Sequence, residues 1–465
     1  MDEESKNQEK TAEPTADVDS APEQSPAPKK KPVLLITAIV LLIVTGGGLI
    51  AWMLSQETDN SRTEVAEQAD DVVGQTVFSK NDLVDLSYPI VDTNQNDCYN
   101  NTERTDCPNP SLANQFNGQD GSYQDPYKQP AYTDNKDGTI TDDVTGLMWQ
   151  KDPGQKQSYQ QASQGAKSLE LGGYDDWRVP TIKELYSLMD FSGIDPDPMG
   201  SSTSGLSPFI DDSVFDFEYG DTADGSRIID SQWVTSSVYK SSVMGGEECF
   251  FGVNFADGRI KCYPTSSQRN AGYFIRYVRG NTYGINDLVD NGDKTIADNA
   301  TGLLWQQEDS GKGMEWSEAL EYCQDLTLAG NDSWYLPNAK ELQSIVDYSR
   351  SPDTSSSPAL DPVFNSTEIE NEAGQRDWPS YWTSTTHIGT RNASAGIYVS
   401  FGRALGNMPQ FGGWVDVHGA GSQRSDPKSG DPSEFSQGRG PQGDAVRILN
   451  HVRCAADSIA NLPRI

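Results

Sequence analysis

The sequence predicts an α+β fold that is built twice and follows a single N-terminal transmembrane helix. Residues 145–151 read TGLMWQK and residues 301–307 read TGLLWQQ, and a second matching pair follows at 175–190 and 332–347. Both pairs are separated by 156–157 residues, which suits an ordinary domain and exceeds the period of a solenoid repeat. The third observation is a long apolar run at residues 33–54. The chain is therefore predicted to carry one folding pattern twice behind a membrane anchor.

Residues 33–54 contain no charged residue and, as a helix, would span about 33 Å, enough to cross a bilayer. Lysines 29–31 precede this run and Glu57 follows it. The positive-inside rule then predicts a single-pass protein of a bacterial inner membrane, with a cytoplasmic N-terminus and a periplasmic or cell-surface C-terminal region. A cleaved signal peptide is the alternative, but the run is long and lacks an A-x-A cleavage site.

The composition on either side of the membrane helix predicts the remaining boundaries. Residues 1–32 are rich in Glu, Pro, Ala, Ser and Lys and have little to bury, so a disordered cytoplasmic tail is expected. The segments after the membrane helix are predicted as a polar stalk at 55–85, a lead-in segment with a cysteine loop at 86–132, a first repeat at 133–281 and a second repeat at 285–457.

Each repeat is predicted to open with a β-hairpin, because a turn and a T-I-x-D segment precede each TGL-x-W strand. A first helix follows in each copy, since apolar residues recur there at helical spacing. These residues are Tyr159, Ala162, Ala166 and Leu169 in the first copy and Trp316, Ala319, Leu320, Cys323 and Leu326 in the second.

A second helix is predicted in each copy from a capping box, formed by Thr181 with Glu184 and by Asn338 with Glu341. A long Ser/Pro/Asp-rich stretch then leads to several short strands. The last strand falls at 274–279 in the first copy and at 448–453 in the second. Hairpin, two helices, long loop and strands, in that order, predict the α+β class.

Six cysteines after the membrane helix suit an oxidising compartment. One pair lies in a polar loop and a second flanks a predicted hairpin that turns at residues 256–258, which leaves a third pair. In the first repeat the residues aligned with this third pair are Ala166 and Gly280, so both cysteines are absent together, as expected of a bonded pair. The predicted disulfides are Cys98–Cys107, Cys249–Cys262 and Cys323–Cys454.

The motifs TGLMWQ, DDWR-x-P-T-x-KEL, YWTST and a terminal VRC, together with the cysteine of the first helix, resemble the Lcl C-terminal domain family. That family takes its name from a bacterial collagen-like adhesin, and the resemblance covers roughly residues 88–457. The family looks related to C-type lectin-like folds. The resemblance therefore implies two tandem C-type-lectin-like domains with a role in adhesion and carbohydrate binding.

Charge narrows the possible partners. After residue 54 the chain has 61 acidic and 30 basic residues, a formal charge of −31. Such a surface repels phosphate backbones, so nucleic-acid binding is not expected. It also argues against the sulfated polysaccharides linked to the family's name-giving member. Neutral glycans, cationic partners and envelope proteins remain compatible with it.

The sequence predicts no enzyme and no cofactor. It contains three histidines, His387, His418 and His451, and none of the common motifs of metalloproteases, serine hydrolases or phosphate-binding loops. The stretch 133–143 resembles a calcium loop but lacks two essential ligands, so a hairpin turn is favoured and no metal site is predicted.

Five tryptophans recur at matched positions on elements that have an apolar face. Core packing explains this pattern better than sugar stacking, although both remained open on the sequence alone. Capping likewise explains Glu184 and Glu341 better than acid–base catalysis does. The five tryptophans are Trp149, Trp177, Trp305, Trp334 and Trp382.

The second repeat carries an insertion, residues 403–445, that the first repeat lacks. Long insertions are often functional, and in lectin-like folds this region supplies the ligand surface, so it is the predicted binding site. A structural loop ordered by its own hydrogen bonds is the alternative. The predicted ligand contacts, expected to be surface positions, are Trp414, Asp416, His418, Arg424 and Asp426.

These observations predict a membrane-anchored extracytoplasmic binding protein that presents two lectin-like domains to glycan or protein ligands. The alternative is a structural or assembly component of a bacterial envelope complex, whose partner would be another membrane protein. An exposed cleft around residues 403–445 would favour the first interpretation.

Overall fold

The computed structural model describes residues 86–107, 116–125, 128–266 and 272–458, all of which belong to one compact unit. The predicted tail, membrane helix and stalk lie outside these residues. Within the described part of the chain, no helix has the length and apolar character needed to span a bilayer.

Short strands and a few short helices, in mixed order, make up the described residues, which agrees with the predicted α+β class. The strands are β1 (Cys98–Tyr99), β2 (Arg104–Thr105), β3 (Tyr132–Asp134), β4 (Thr139–Asp142), β5 (Met148–Gln150), β6 (Gln232–Trp233), β7 (Cys249–Asn254), β8 (Arg259–Pro264), β9 (Val278–Arg279), β10 (Leu288–Asp290), β11 (Thr295–Asp298), β12 (Leu303–Gln306), β13 (Ile369–Glu370), β14 (Arg376–Asp377), β15 (Ser380–His387), β16 (Ala395–Ser400), β17 (Leu405–Met408), β18 (Gly413–Asp416), β19 (Gln423–Pro427) and β20 (Ala455–Asp457). The α-helices are α1 (Tyr159–Gly165), α2 (Ile182–Ser187), α3 (Trp316–Gln324), α4 (Ala339–Ser344) and α5 (Pro352–Ser355).

Each repeat contains the same four-stranded antiparallel sheet. The strand order is β3-β4-β5-β9 in the first repeat and β10-β11-β12-β20 in the second. The TGL-x-W segments supply β5 and β12, and the last strand of each repeat pairs with them. The predicted opening hairpins are therefore present in both copies. The last strand of the first copy lies within the predicted 274–279, but that of the second copy is Ala455–Asp457, so the predicted strand at 448–453 is wrong.

Both second helices begin as the capping pattern predicts. The Thr181 hydroxyl accepts a hydrogen bond from the backbone N–H of Glu184, and the Glu184 carboxylate accepts one from the Thr181 N–H. Asn338 and Glu341 form the same reciprocal pair at the start of α4. These bonds satisfy backbone donors that a helix N-terminus would otherwise leave unpaired.

The five recurring tryptophans lie in the core, as predicted, with Trp149, Trp305 and Trp382 fully buried. A buried arginine near the end of each repeat accompanies them. Arg276 stacks on Phe215 with 4.7 Å from its guanidinium carbon to the ring centroid, and Arg453 stacks similarly on Phe364 at 5.0 Å. Each guanidinium also donates to backbone carbonyls, so both repeats bury a cation held by a ring and by carbonyl oxygens.

The two repeats share one six-stranded sheet, which the sequence did not predict. The strand order is β15-β16-β19-β8-β7-β6, so each repeat contributes three strands. The halves meet where β19 pairs antiparallel with β8, through Gln423 and Ile260. One hydrophobic cluster contains residues of both repeats, including Phe251 and Val399. The copies are thus joined in one unit and do not form two separate domains.

The lead-in segment lies between the two repeats. The side chain of Gln95 donates to the carbonyls of Phe191 in the first repeat (3.1 Å) and Thr386 in the second (2.8 Å). Lys340, which is 4% exposed, donates from α4 to the carbonyls of Asp92 (2.8 Å) and Ser187 (2.9 Å). Buried polar groups of this kind fix one relative placement of their elements, since any other placement leaves them unpaired.

All three predicted disulfides are present in the structure: Cys98–Cys107, Cys249–Cys262 and Cys323–Cys454. None of the six cysteines is free.

The sequence alignment of the last strands was wrong, however. In the first repeat Trp149 lies opposite Val278. In the second repeat Trp305, which matches Trp149 in sequence, lies opposite Ala455. The residue before Ala455 is Cys454, so its counterpart is the residue before Val278.

That counterpart is Tyr277 and not Gly280. The Tyr277 hydroxyl donates to the carbonyl of Ala162 in α1 at 2.9 Å, and both residues belong to one hydrophobic cluster. A tyrosine therefore joins the last strand to the first helix where the second repeat has a disulfide. The Val-Arg dipeptides at 278–279 and 452–453 suggest the alignment of Gly280 with Cys454. The strand pairing differs from that alignment by three residues.

This register makes a prediction about engineered cysteines. We expect Ala166→Cys combined with Tyr277→Cys to form a disulfide, because these positions correspond to Cys323 and Cys454. The combination Ala166→Cys with Gly280→Cys should leave two free thiols. Thiol titration and non-reducing peptide mapping of both variants check this. Bonding in the Gly280 variant alone would restore the sequence alignment and contradict the observed register.

Candidate functional site

The insertion at 403–445 is mostly ordered structure. It contains the hairpin β17–β18 and a 3₁₀ turn at Pro432–Phe435. Between them, β19 enters the shared six-stranded sheet next to β16. The predicted insertion is therefore wrong for residues 423–427, because β19 occupies the place in the shared sheet that β8 occupies in the first repeat.

A cleft of about 560 Å³ lies beside this insertion. We define it by four wall segments: residues 369–372, residue 414 in β18, residues 432–436 and residues 445–451. Pro379 and Ser380 also line it. Its volume lies within the range typical of small-ligand sites. The insertion supplies the second and third walls, so the first repeat has no equivalent of them.

Apolar side chains form much of the cleft surface. Trp414, Phe435 and Pro432 are half-buried, while Leu449 is 45% exposed. Half-exposed aromatic and aliphatic groups gathered around one concave surface retain area that a ligand can cover. The interpretation as a binding protein predicts an exposed cleft around this insertion, and the structure contains one.

Most of the charged groups of the cleft are paired with each other. Arg447 forms two hydrogen bonds to the Glu372 carboxylate, at 2.8 Å and 3.0 Å, and a third to the Ser380 hydroxyl at 3.2 Å. Burial raises the pKa of Glu372, but the bonds from Arg447 outweigh this effect, so its pKa lies below the ordinary value. This pair remains ionised near neutral pH and contributes no net charge.

Of the five predicted ligand contacts, Trp414 lines the cleft and the other four do not. Asp416, His418 and Asp426 are buried, and the side chain of Arg424 is 13% exposed. Their polar atoms bond to the protein itself, so the prediction of surface positions is corrected for these four. Aromatic, cationic and anionic residues in one insertion suggested a binding surface, but the sequence does not reveal which of them face inward.

Asp416 connects the insertion to the first repeat. Its carboxylate accepts hydrogen bonds from the Tyr239 hydroxyl at 2.8 Å and the Gly419 backbone N–H at 2.9 Å. Its carbonyl accepts a bond from the N–H of Met244 at 2.8 Å. The residue therefore positions β18, and with it Trp414, by a contact that crosses between the repeats.

His418 and Arg424 both bond to Asp444. The His418 Nε2 lies 2.9 Å from one carboxylate oxygen, and Arg424 pairs with the other. Burial, followed by the charge of Arg424, lowers the pKa of His418 to about 4, so the ring is neutral near pH 7. Asp426 accepts backbone bonds from Arg447 (2.9 Å) and Ile448 (3.2 Å). These groups hold the 445–451 wall in place.

The burial of Asp416 predicts that the stability of the protein depends on pH. Burial raises its pKa to about 7, and the bonds from Gly419 and Tyr239 only partly oppose this. Because the folded protein binds this proton more tightly than the unfolded chain does, the free energy of unfolding should fall as pH rises from about 4 to about 7.

Asp416→Asn removes the titrating group. The free energy of unfolding of the wild type should therefore fall by about 1–2 kcal/mol relative to that of the variant between pH 5 and pH 7. Urea unfolding of both proteins at several pH values measures this difference. A difference that stays constant with pH would show that Asp416 is ionised in the folded protein throughout this range.

The sequence did not identify two walls of the cleft. Residues 369–372 belong to the short ribbon β13–β14, and residues 445–451 follow the insertion. Glu370, Arg447 and Leu449 are the side chains missed there, and Phe435 is missed on the wall at 432–436. Residues 448–451 fall within the segment that the sequence predicts as the closing strand, so a cleft wall is not expected there.

Comparison with known proteins agrees with the repeat structure. The family model of the Lcl C-terminal domain matches residues 138–279 and 294–414, together more than half of the chain. No curated protein and no solved structure shows significant similarity to the chain. The two matched stretches begin at corresponding strands, β4 and β11, of the two four-stranded sheets. The chain belongs to the Lcl C-terminal domain family and contains two copies of its domain.

Proposed function

We propose that this chain is a membrane-anchored extracytoplasmic binding protein with an adhesion-type role, and that the cleft of its second repeat holds the ligand. In this proposal residues 33–54 anchor the chain, the two lectin-like repeats stand outside the cytoplasm, and no chemical step occurs on the ligand. Family membership supports a binding role, because the family resembles lectin-like folds.

The observation that carries the proposal is the cleft itself. The insertion supplies two of its walls, residue 414 and residues 432–436. Two walls, 432–436 and 445–451, lie beyond residue 414, where the family match ends. A concave surface added to one copy of a duplicated fold is expected to serve something other than stability of that fold. The half-exposed Trp414 is a suitable anchor for a ligand, since truncation of aromatic residues at binding sites often causes the largest losses of binding energy.

The test is a binding screen on the full-length chain. Wild-type protein is applied to a glycan array, with and without calcium, and to a peptide display library. Trp414→Ala should weaken the binding of any captured ligand at least about tenfold, because the indole supplies contact area in the cleft. Phe411→Ala is the matched control, since Phe411 is 43% exposed in the same insertion but lies outside the cleft lining.

We expect the control to bind as wild type does, and both variants to unfold within about 1 kcal/mol of wild type. Equal binding by wild type and Trp414→Ala would contradict a role for the cleft. The alternative function, assembly of an envelope complex, would instead give recovery of membrane proteins in pull-downs that Trp414→Ala does not reduce.

A further inference from the structure

The charge of the cleft is not balanced. Among the described residues, Glu370 on β13 lines the cleft and has no hydrogen bond or ion pair from its carboxylate. Arg376, which lies opposite Glu370 on β14, pairs with Glu368, and Arg447 of the cleft lining pairs with Glu372. One exposed carboxylate therefore remains at an otherwise apolar and internally neutralised surface.

This imbalance favours a cationic group in the ligand. The Glu370 carboxylate is exposed and can pair with a cation of a ligand that lies in the cleft. The charge of −31 over the chain after residue 54 adds a long-range attraction for cations and repels anionic ligands.

The cleft also offers strand edges. β13 contributes Ile369 and Glu370 to the lining, and β18 contributes Trp414. Among the described strands, β13 pairs with β14 alone and β18 pairs with β17 alone. On the second edge of β18 the Asp416 carbonyl is bonded to the Met244 N–H, so the segment around Trp414 is the part of that edge without a strand partner. Unpaired strand edges are where an extended peptide can add its own backbone hydrogen bonds.

Resting on the proposed binding function, we propose that the cleft holds an extended polypeptide segment of a partner protein, in which apolar side chains flank a lysine or arginine. The apolar side chains pack on Trp414, Phe435 and Leu449, and the cation pairs with Glu370. Arg447, Glu372 and Ser380 bond to one another, so these three groups are less available to the hydroxyls of a neutral glycan.

The experiment uses the full-length chain and a display library of random linear dodecapeptides, with an array of uncharged oligosaccharides run in parallel. We expect the selected peptides to share one lysine or arginine next to aromatic or aliphatic residues. Replacing that cation by glutamine should weaken binding about tenfold, and so should Glu370→Gln in the protein, since each removes one half of the same charge pair.

Glu434→Gln is the matched control. It makes the same change in net charge on the 432–436 wall, but Glu434 does not line the cleft, so binding should stay within about twofold of wild type. Equal losses in the Glu370 and Glu434 variants would overturn the specific ion pair and leave only a general charge effect.

The remaining outcomes separate this inference from the proposed function. Capture of uncharged oligosaccharides that is lost in Trp414→Ala would overturn the peptide inference while the cleft remained a binding site. Selected peptides without a basic residue would also overturn it. If Trp414→Ala reduced the binding of neither peptides nor oligosaccharides, the inference and the proposed function would both fail.

Discussion

Replacing both Cys323 and Cys454 by alanine is expected to lower the free energy of unfolding by about 5 kcal/mol. This disulfide joins α3 to the residue before β20 across a sequence separation of 131 residues. Its reduction releases a long loop in the unfolded chain, and the gain in entropy grows with loop length. Denaturant titration of the variant beside the oxidised wild type measures the difference.

The bond between Cys98 and Cys107 is the matched control, because it spans only 9 residues. The same chain-entropy relation gives about 2.6 kcal/mol for its removal, roughly half of the first value. Equal losses from the two double-alanine variants would contradict the entropic explanation. The stabilisation would then come from contacts of the disulfides in the folded protein and not from the length of the loop that each one closes.

Phe251→Ala is the second change with a large expected effect. Phe251 is fully buried on β7 and meets Tyr348 of the second repeat with ring centroids 4.8 Å apart. Truncation of a core phenylalanine costs about 3–5 kcal/mol, since it removes apolar contact and leaves a cavity. Because the ring packs against both repeats, we expect both to unfold together at a lower urea concentration.

Hydrogen exchange measured during urea unfolding reports on each repeat separately. In the Phe251→Ala variant, the core amides of α2 in the first repeat and α4 in the second should lose protection at the same urea concentration. Two independent domains would behave differently, with protection lost in the first repeat while the second kept its wild-type midpoint. That result would contradict the shared core.

Short-range features of the fold were predictable from the sequence. The capping boxes at Thr181 and Asn338 depend on residues three positions apart, so their pattern is visible without a structure. The pairing of Cys249 with Cys262 follows from a hairpin with a recognisable turn. The Cys323–Cys454 bond was predictable for a different reason. Comparison of the two repeats shows that both cysteines are present in the second repeat and both are absent from the first.

Long-range features were not predictable in the same way. The pairing of β19 with β8 joins residues more than 160 positions apart through Gln423 and Ile260, and no local signal specifies it. Burial was equally hidden: Asp416 looks like a surface carboxylate in the sequence, but Tyr239 from the other repeat covers it. The sequence predicts a cleft near the insertion, whereas Glu370 lies on a ribbon in a segment that the sequence predicts as loop.

We propose that ligand binds in the cleft of the second repeat. Hydrogen exchange of the full-length chain with and without bound ligand tests this claim directly. With a peptide or glycan recovered from the screens at saturation, protection should increase at residues 369–372, 413–416, 432–436 and 445–451. Exchange in the first repeat should stay unchanged away from the shared sheet. Protection confined to the first repeat, or absent from all four walls of the cleft, would contradict the claim.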